Sequence, residues 1–288
     1  MILSMLPESG RVLGIDVGYS PKRRTTAFCS LSWTKDHIGW SDFSATSDPI
    51  CRERALLGVK GSDEPQFISV AIDGPLRPDL QECCEYRTAE RLLSRGAFQK
   101  RGKPGQTNAA SGPQLHKHAT LLAKMVLQHC ELGIAKMPFS VSTVAVYEAF
   151  PNLFLGVLCP EREYPQRPSK GRGWTDCLFP LVASRLNDLV RTLLPDRSFN
   201  TVANVSGHEP IAALTCALTA LAAGAGECVA VGAATDGYIV LPPLACWGMS
   251  AEGDRWAERE LREIVRRLSR IKTAPSHPRI YDGGELLL

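Results

Sequence analysis

The 288-residue chain carries 33 Lys and Arg against 30 Asp and Glu, a formal net charge of +3, with 44% hydrophobic and 22% charged residues. That near-neutrality excludes a histone-like or polybasic protein whose partner is legible from charge alone, while leaving room for a locally basic groove. The length suffices for one elaborated domain with a full core.

Residues 11–19, RVLGIDVGY, are an apolar run closing in Asp and Gly, the pattern of a buried strand and a turn. Residues 25–33 and 37–45 predict two further strands with short connections, together an antiparallel meander. FISVAID at 67–73 is another apolar run ending in Asp, stopped by Gly74-Pro75. Helical spacing of Tyr86, Leu92 and Leu93 predicts a helix over about 84–94. A polar, basic loop follows over 96–113, then a helix over 114–131 with Leu115, Leu122, Val126 and Leu127 inward. VSTVAVYE at 141–148 reads as a strand ending in Glu. A second polar loop over 160–174 leads to a helix over 176–194, with Leu178, Leu181, Leu186, Leu189 and Leu193 inward. Residues 206–223 predict a buried helix of Ala, Leu, Thr and Cys packed closely on a sheet, 235–241 a late strand, and 252–272 a charged amphipathic helix. This order predicts an α/β fold with a mixed sheet flanked by helices. Residues 1–250 are expected to form one domain with inserted basic loops, and 251–288 a C-terminal helical extension.

Ten cysteines are dispersed through apolar surroundings with no C-x-x-C, which favours reduced thiols used as small hydrophobes over a disulfide framework or zinc ribbon. The start MILSMLPESGR has no basic n-region, and residues 211–225 are too short and small for a membrane span, so a cytoplasmic location is expected.

Three of the expected core strands end in a carboxylate, Asp16, Asp73 and Glu148, and Glu209 opens the most buried helix. Acids at the ends of apolar strands are costly without compensation, and acids brought together by neighbouring strand ends repel. A divalent cation, Mg²⁺ or Mn²⁺, resolves both costs and can activate water for attack on a phosphodiester. On this reading Asp16, Asp73, Glu148 and Glu209 are metal ligands and catalytic residues, with His208 as a proton carrier. Each acid also has a plainer reading. Asp16 and Asp73 precede Gly, as turn-forming Asp commonly does, and Ser206-Gly207-His208-Glu209 matches a helix capping box.

The set GIDVGYS, VAIDGPL, CCEYRTAERLL, VYEAFPN and HEPIAALTCALTALAAG, with the late TDGYIVLP, resembles the DUF429 family of predicted nucleases over about residues 11–243. The resemblance implies an RNase H-like fold, with Asp16 as the first-strand acid, Asp73 and Glu148 as further acids, and His208-Glu209 at the entry to the last core helix. It also makes Arg87 and Arg91 the family's arginines after the IDGPL segment. One departure is Ala212, where family members often carry an Asp.

Arg87, Arg91 and Arg95 recur four apart, so a helix would present them on one face, and Lys100, Arg101, Lys103, His116 and His118 extend the positive stretch. They are the candidate contacts to nucleic-acid phosphates, the alternative being a solvated helix face. A second loop with Arg162, Arg167, Lys170 and Arg172 is partly offset by Glu161 and Glu163.

The expected function is metal-dependent hydrolysis of nucleic-acid phosphodiester bonds. Two alternatives compete. GIDVGYS resembles the first phosphate loop of ATP-dependent phosphotransferases of the actin and sugar-kinase group, although no second Asp-Gly-rich loop opens another half. Ala212 favours a non-catalytic nucleic-acid-binding protein that keeps the fold.

Overall fold

Strand β1 (Gly10–Asp16) is buried from end to end and forms the spine of a mixed sheet. The computed structural model describes residues 6–62, 64–82, 85–101, 107–165, 173–269 and 278–287. From β1 the chain turns through 17–25 into β2 (Thr26–Trp33) and then β3 (His37–Ala45), both antiparallel to their predecessor, as the meander pattern predicts. Next comes α1 (Pro49–Lys60), which the periodicity does not signal. It is started by Asp48, whose side chain accepts the Cys51 N–H at 2.9 Å, and is ended at Gly61, φ 67°.

Strand β4 (Val70–Asp73) lies parallel to β1, and after α2 (Thr88–Leu93) and α3 (Gly112–His129), β5 (Val146–Ala149) lies parallel to β4. Helices α4 (Pro151–Leu158) and α5 (Trp174–Leu193), the short β6 (Ser198–Phe199) and α6 (His208–Ala225) follow. Then come β7 (Val229–Ala233), β8 (Gly237–Leu241), α7 (Trp256–Ser269), β9 (Arg279–Asp282) and β10 (Glu285–Leu286). The ten strands among the described residues form one sheet in the order β10-β9-β7-β8-β5-β4-β1-β2-β3-β6. The α/β class and flanking helices match the sequence reading.

Alternation along the strands sends side chains to two helix layers. Leu13, Ile15 and Ile72 pack with Leu56 of α1 and Leu122 and Val126 of α3, whereas Val12 and Ala71 join Ala213 and Ala217 of α6 and Leu186 of α5. Two expected inward leucines, Leu127 and Leu181, are instead 37% and 43% exposed. They stand one position off the stripes of Leu122 and Val126 and of Leu178, Val182 and Leu186, and a one-residue step turns a side chain about 100° around a helix.

The C-terminal segment is more than a helical extension. Trp256, Leu261 and Ile280 share an apolar cluster with Leu92, Val231 and Leu241, and β9 pairs with β7. None of the described cysteines forms a disulfide, and no helix among the described residues is long and apolar enough to cross a membrane.

Candidate carboxylate site

The parallel pairing of β1 with β4 sets Asp16 opposite Asp73 in register. Residues in register on neighbouring strands share a face, and here it is the face covered by α6. Gly14, two residues before Asp16 and therefore on the same face, shows how close that helix lies. A Cβ at position 14 would fall on the Ala213 carbonyl and the Ala217 backbone. Glu209, one turn before Ala213, is thereby carried over the carboxyl end of β1.

The two aspartic acids interact directly. Their carboxyls share a hydrogen bond, and Asp16 is 7% exposed. Burial, followed by the charges of Asp73 and Glu209, pushes Asp16 well above the usual carboxylate range. Burial, followed by the charge of Glu148, pushes Asp73 up to about 7. At neutral pH the pair therefore holds a proton, and Cys216, buried in the field of both acids, stays a thiol.

Glu209 does not act as a capping-box partner. The helix starts at Gly207, φ 93°, with no side-chain cap, so Ser206 falls one position too early and Glu209 is the second helical residue.

Glu148 does not join the pair. Strand β5 pairs Ala149, not Glu148, with Asp73, so Glu148 shares the opposite face with Ile72. Its oxygens accept the Arg87 guanidinium at 2.6 and 2.7 Å and the Leu76 N–H at 2.7 Å. Burial raises the Glu148 carboxyl and Arg87 with the Leu76 amide oppose it; three donors on two oxygens are satisfied by the ionised form.

Arg87 is correspondingly not a phosphate contact. It lies 2% exposed and precedes α2, donating also to Glu90 at 2.9 Å, Thr107 Oγ1 at 3.3 Å and the Leu76 carbonyl at 3.1 Å. Asp236, in the turn between β7 and β8, anchors the start of the same helix by accepting the Thr88 N–H and hydroxyl, each at 2.8 Å.

The other basic candidates divide. Arg101 is held by Glu161 at 3.0 Å and lies over the Trp256 ring at 4.6 Å, which makes it a fastener of α7. Arg91 is half-buried near Tyr86, whereas Arg95 and Lys100 are exposed. Lys103, Arg167, Lys170 and Arg172 lie outside the described residues. The single helical face expected for Arg87, Arg91 and Arg95 does not form, because α2 spans only Thr88–Leu93.

His208, half-exposed at the first position of α6, lies 3.5 Å from Asp176. Ala212 is buried at 2% exposure one turn into the helix. Gly18, expected to let a phosphate approach in the phosphotransferase reading, instead faces its own loop: a Cβ there would meet the Thr25 backbone.

Arg52 of α1 is a residue the sequence reading missed. It lies 2% exposed beneath the 17–25 connection, donating to Gly18 O and to Thr26 Oγ1, the latter at 3.2 Å. Nothing in its local spacing flags it, since α1 itself carries little periodic signal.

The donor chemistry fits a hard cation in a restricted way. Mg²⁺ is commonly held by one or two carboxylates with waters and substrate phosphates completing its shell, and Asp16 with Asp73 supply such a pair. No group of three or more His, Cys, Asp or Glu among the described residues is arranged to hold a metal. The arrangement thus suits a two-carboxylate site with Glu209 beside it, not the four-carboxylate set of the sequence reading. No protein-family model, curated protein or solved structure matches the chain.

Proposed function

We propose that the chain is a metal-dependent phosphodiesterase acting on nucleic acid, built on an RNase H-like core. The observation that carries this reading is the register pairing of Asp16 with Asp73, a buried and a half-buried carboxyl hydrogen-bonded to each other beneath Glu209. The sheet supports it further: an antiparallel meander whose first strand is also the parallel neighbour of β4, which in turn pairs in parallel with β5, with helices on both faces.

Bound by Asp16 and Asp73, Mg²⁺ or Mn²⁺ would acidify a water and offset the charge of the phosphate oxygens. The chain's own groups divide the remaining work. Asp16 and Asp73 would hold the cation through paired oxygens, giving up bound protons as it enters. Glu209, over Asp16, accepts a hydrogen bond from the attacking water and so orients it. His208, next to Glu209 and open to solvent, delivers a proton to the departing oxygen. Glu148 has a positioning task, holding Arg87 and the Leu76 amide and thereby the turn that follows Asp73. Arg95 and Lys100 neutralise phosphates further along the strand.

The test is cleavage of labelled single- and double-stranded oligonucleotides with Mg²⁺ or Mn²⁺. Cleavage that stops with EDTA and in Asp16→Asn and Asp73→Asn is the expected result. Variants that cut as well as the wild type would sink the assignment.

A further inference from the structure

Tyr19 stands three residues beyond Asp16, in the connection between β1 and β2, and is 50% exposed. Its ring lies nearly parallel to that of His118 on α3, with planes 17° apart and centroids 6.4 Å apart. Lys22, Arg23 and Arg24 on the same connection and Lys117 on α3 are all exposed.

This connection is firmly held. Arg52 donates from Nη2 to the Gly18 carbonyl and from Nη1 to His118 Nδ1 at 3.0 Å. The Thr26 hydroxyl donates to the same Gly18 carbonyl at 3.0 Å, and the Ser47 N–H donates to Ser20 O at 2.8 Å. A guanidinium only donates, so Nδ1 of His118 accepts and the imidazole is neutral, with its proton on Nε2. One buried side chain therefore sets both partners of the ring pair, the backbone leading into Tyr19 and the imidazole beside it. An aromatic ring held in place yet half open to water, with cations around it, is equipped to receive a flat, anionic ligand.

We propose that Tyr19 and His118 form a platform on which one base of a single-stranded nucleic acid stacks, with Lys22, Arg23, Arg24 and Lys117 on the flanking phosphates. The proposal rests on the phosphodiesterase reading for its link to the carboxylates. Three residues of chain span at most about 11 Å, which keeps the platform within a few nucleotides of a phosphate at Asp16 and Asp73. A single strand is the favoured ligand because a base inside a duplex has both faces covered, whereas an unpaired base offers its face to an aromatic ring.

The experiment is fluorescence anisotropy on the full chain in EDTA, with end-labelled single strands of about 12 nucleotides and the matching duplex. Tyr19→Ala should weaken single-strand binding roughly 5- to 150-fold, the range for losing one base–aromatic stack. Tyr19→Leu, which keeps apolar bulk without a π face, should lose as much, and Tyr19→Phe should stay close to the wild type. Replacing Arg23 and Arg24 by Ala should flatten the salt dependence by about 0.7 per phosphate contact removed. Single-strand binding indifferent to Tyr19→Ala and Tyr19→Leu, or equal losses for single strand and duplex, would overturn the platform. Without divalent metal these titrations are separate from cleavage. Tyr19-dependent binding in a chain that never cuts would leave the platform standing and remove the phosphodiesterase. Metal-dependent cutting with Tyr19-independent binding would do the reverse.

Discussion

Two acidic groups sit at the same end of the sheet, on adjacent strands and opposite faces, and their surroundings differ in one respect. Glu148 faces a buried arginine and a backbone amide that satisfy its charge, whereas Asp16 and Asp73 face each other. The first arrangement is complete within the protein and holds a turn in place. The second is electrostatically unfinished: two carboxyls hydrogen-bonded to each other and both pushed up from the usual carboxylate range, near a third acid. Burial alone therefore does not tell the two arrangements apart, since Glu148 at 3% exposure is as buried as Asp16 at 7%. A neutralising partner, present for Glu148 and absent for Asp16 among the described residues, separates them.

The sharpest way to break this comparison is to remove one acid from each side. Asp16→Asn should reduce metal-dependent cleavage by more than the roughly 10- to 100-fold typical of losing an outer partner of a metal ligand, without loss of folding. Glu148→Gln should instead lower the melting temperature and affect cleavage less. Equal cleavage losses in the two variants, at equal stability, would erase the distinction.

Removing the cation from the satisfied side tests what it holds. Arg87→Ala leaves Glu148 and Glu90 buried without their partner and should cost about 3–5 kcal/mol of stability, read by chemical denaturation. A change under about 1 kcal/mol would mean that the cluster relaxes or admits water.

The unsatisfied side carries a pH signature. The folded pair retains a proton that the unfolded chain releases above the usual Asp range, so folding binds protons between about pH 4 and the Asp73 value of about 7. Stability of the metal-free chain should fall as pH rises through that window. Asp73→Asn should be more stable than the wild type at pH 8, by on the order of 2 kcal/mol, and should lose that advantage near pH 4. Thermal melts in EDTA check the sign, and a wild type that gains stability from this pair over that window would contradict it.

The smallest effect concerns the exposed cations. Lys100→Ala and Arg95→Ala should each reduce the salt dependence of oligonucleotide binding by up to about 1 unit of slope, with Arg101→Ala lowering stability instead. A salt slope unmoved by either of the first two would place the phosphate track elsewhere.

The strand-end acids are visible in the sequence because an apolar run that stops at Asp-Gly marks a buried strand giving way to a turn. The meander and the small-residue helix are legible too, since both have a clear period or composition. The face of Glu148 is not legible, because the pairing of β5 with β4 decides it and no residue in VAVYEA records that register. Arg87 reads like any surface arginine until α2 proves to begin one residue later. Helix α4 is buried on nearly every side, with Phe154 and Leu155 in one cluster and Leu153 and Val157 in another, so it has no polar face to set a period. Strand β7, VAVGA, lacks a polar alternation for the same reason.

The bare α-carbon of Gly14 has a consequence beyond close packing. Because α6 rests on β1 at that point, the separation between Glu209 and Asp16 is set at the sheet, not by the loop that enters the helix. A methyl group there acts as a wedge: Gly14→Ala would lift α6 and widen the gap above Asp16 while leaving every acid in the sequence unchanged. Whatever occupies that gap is thus gauged by a residue with no side chain to offer it.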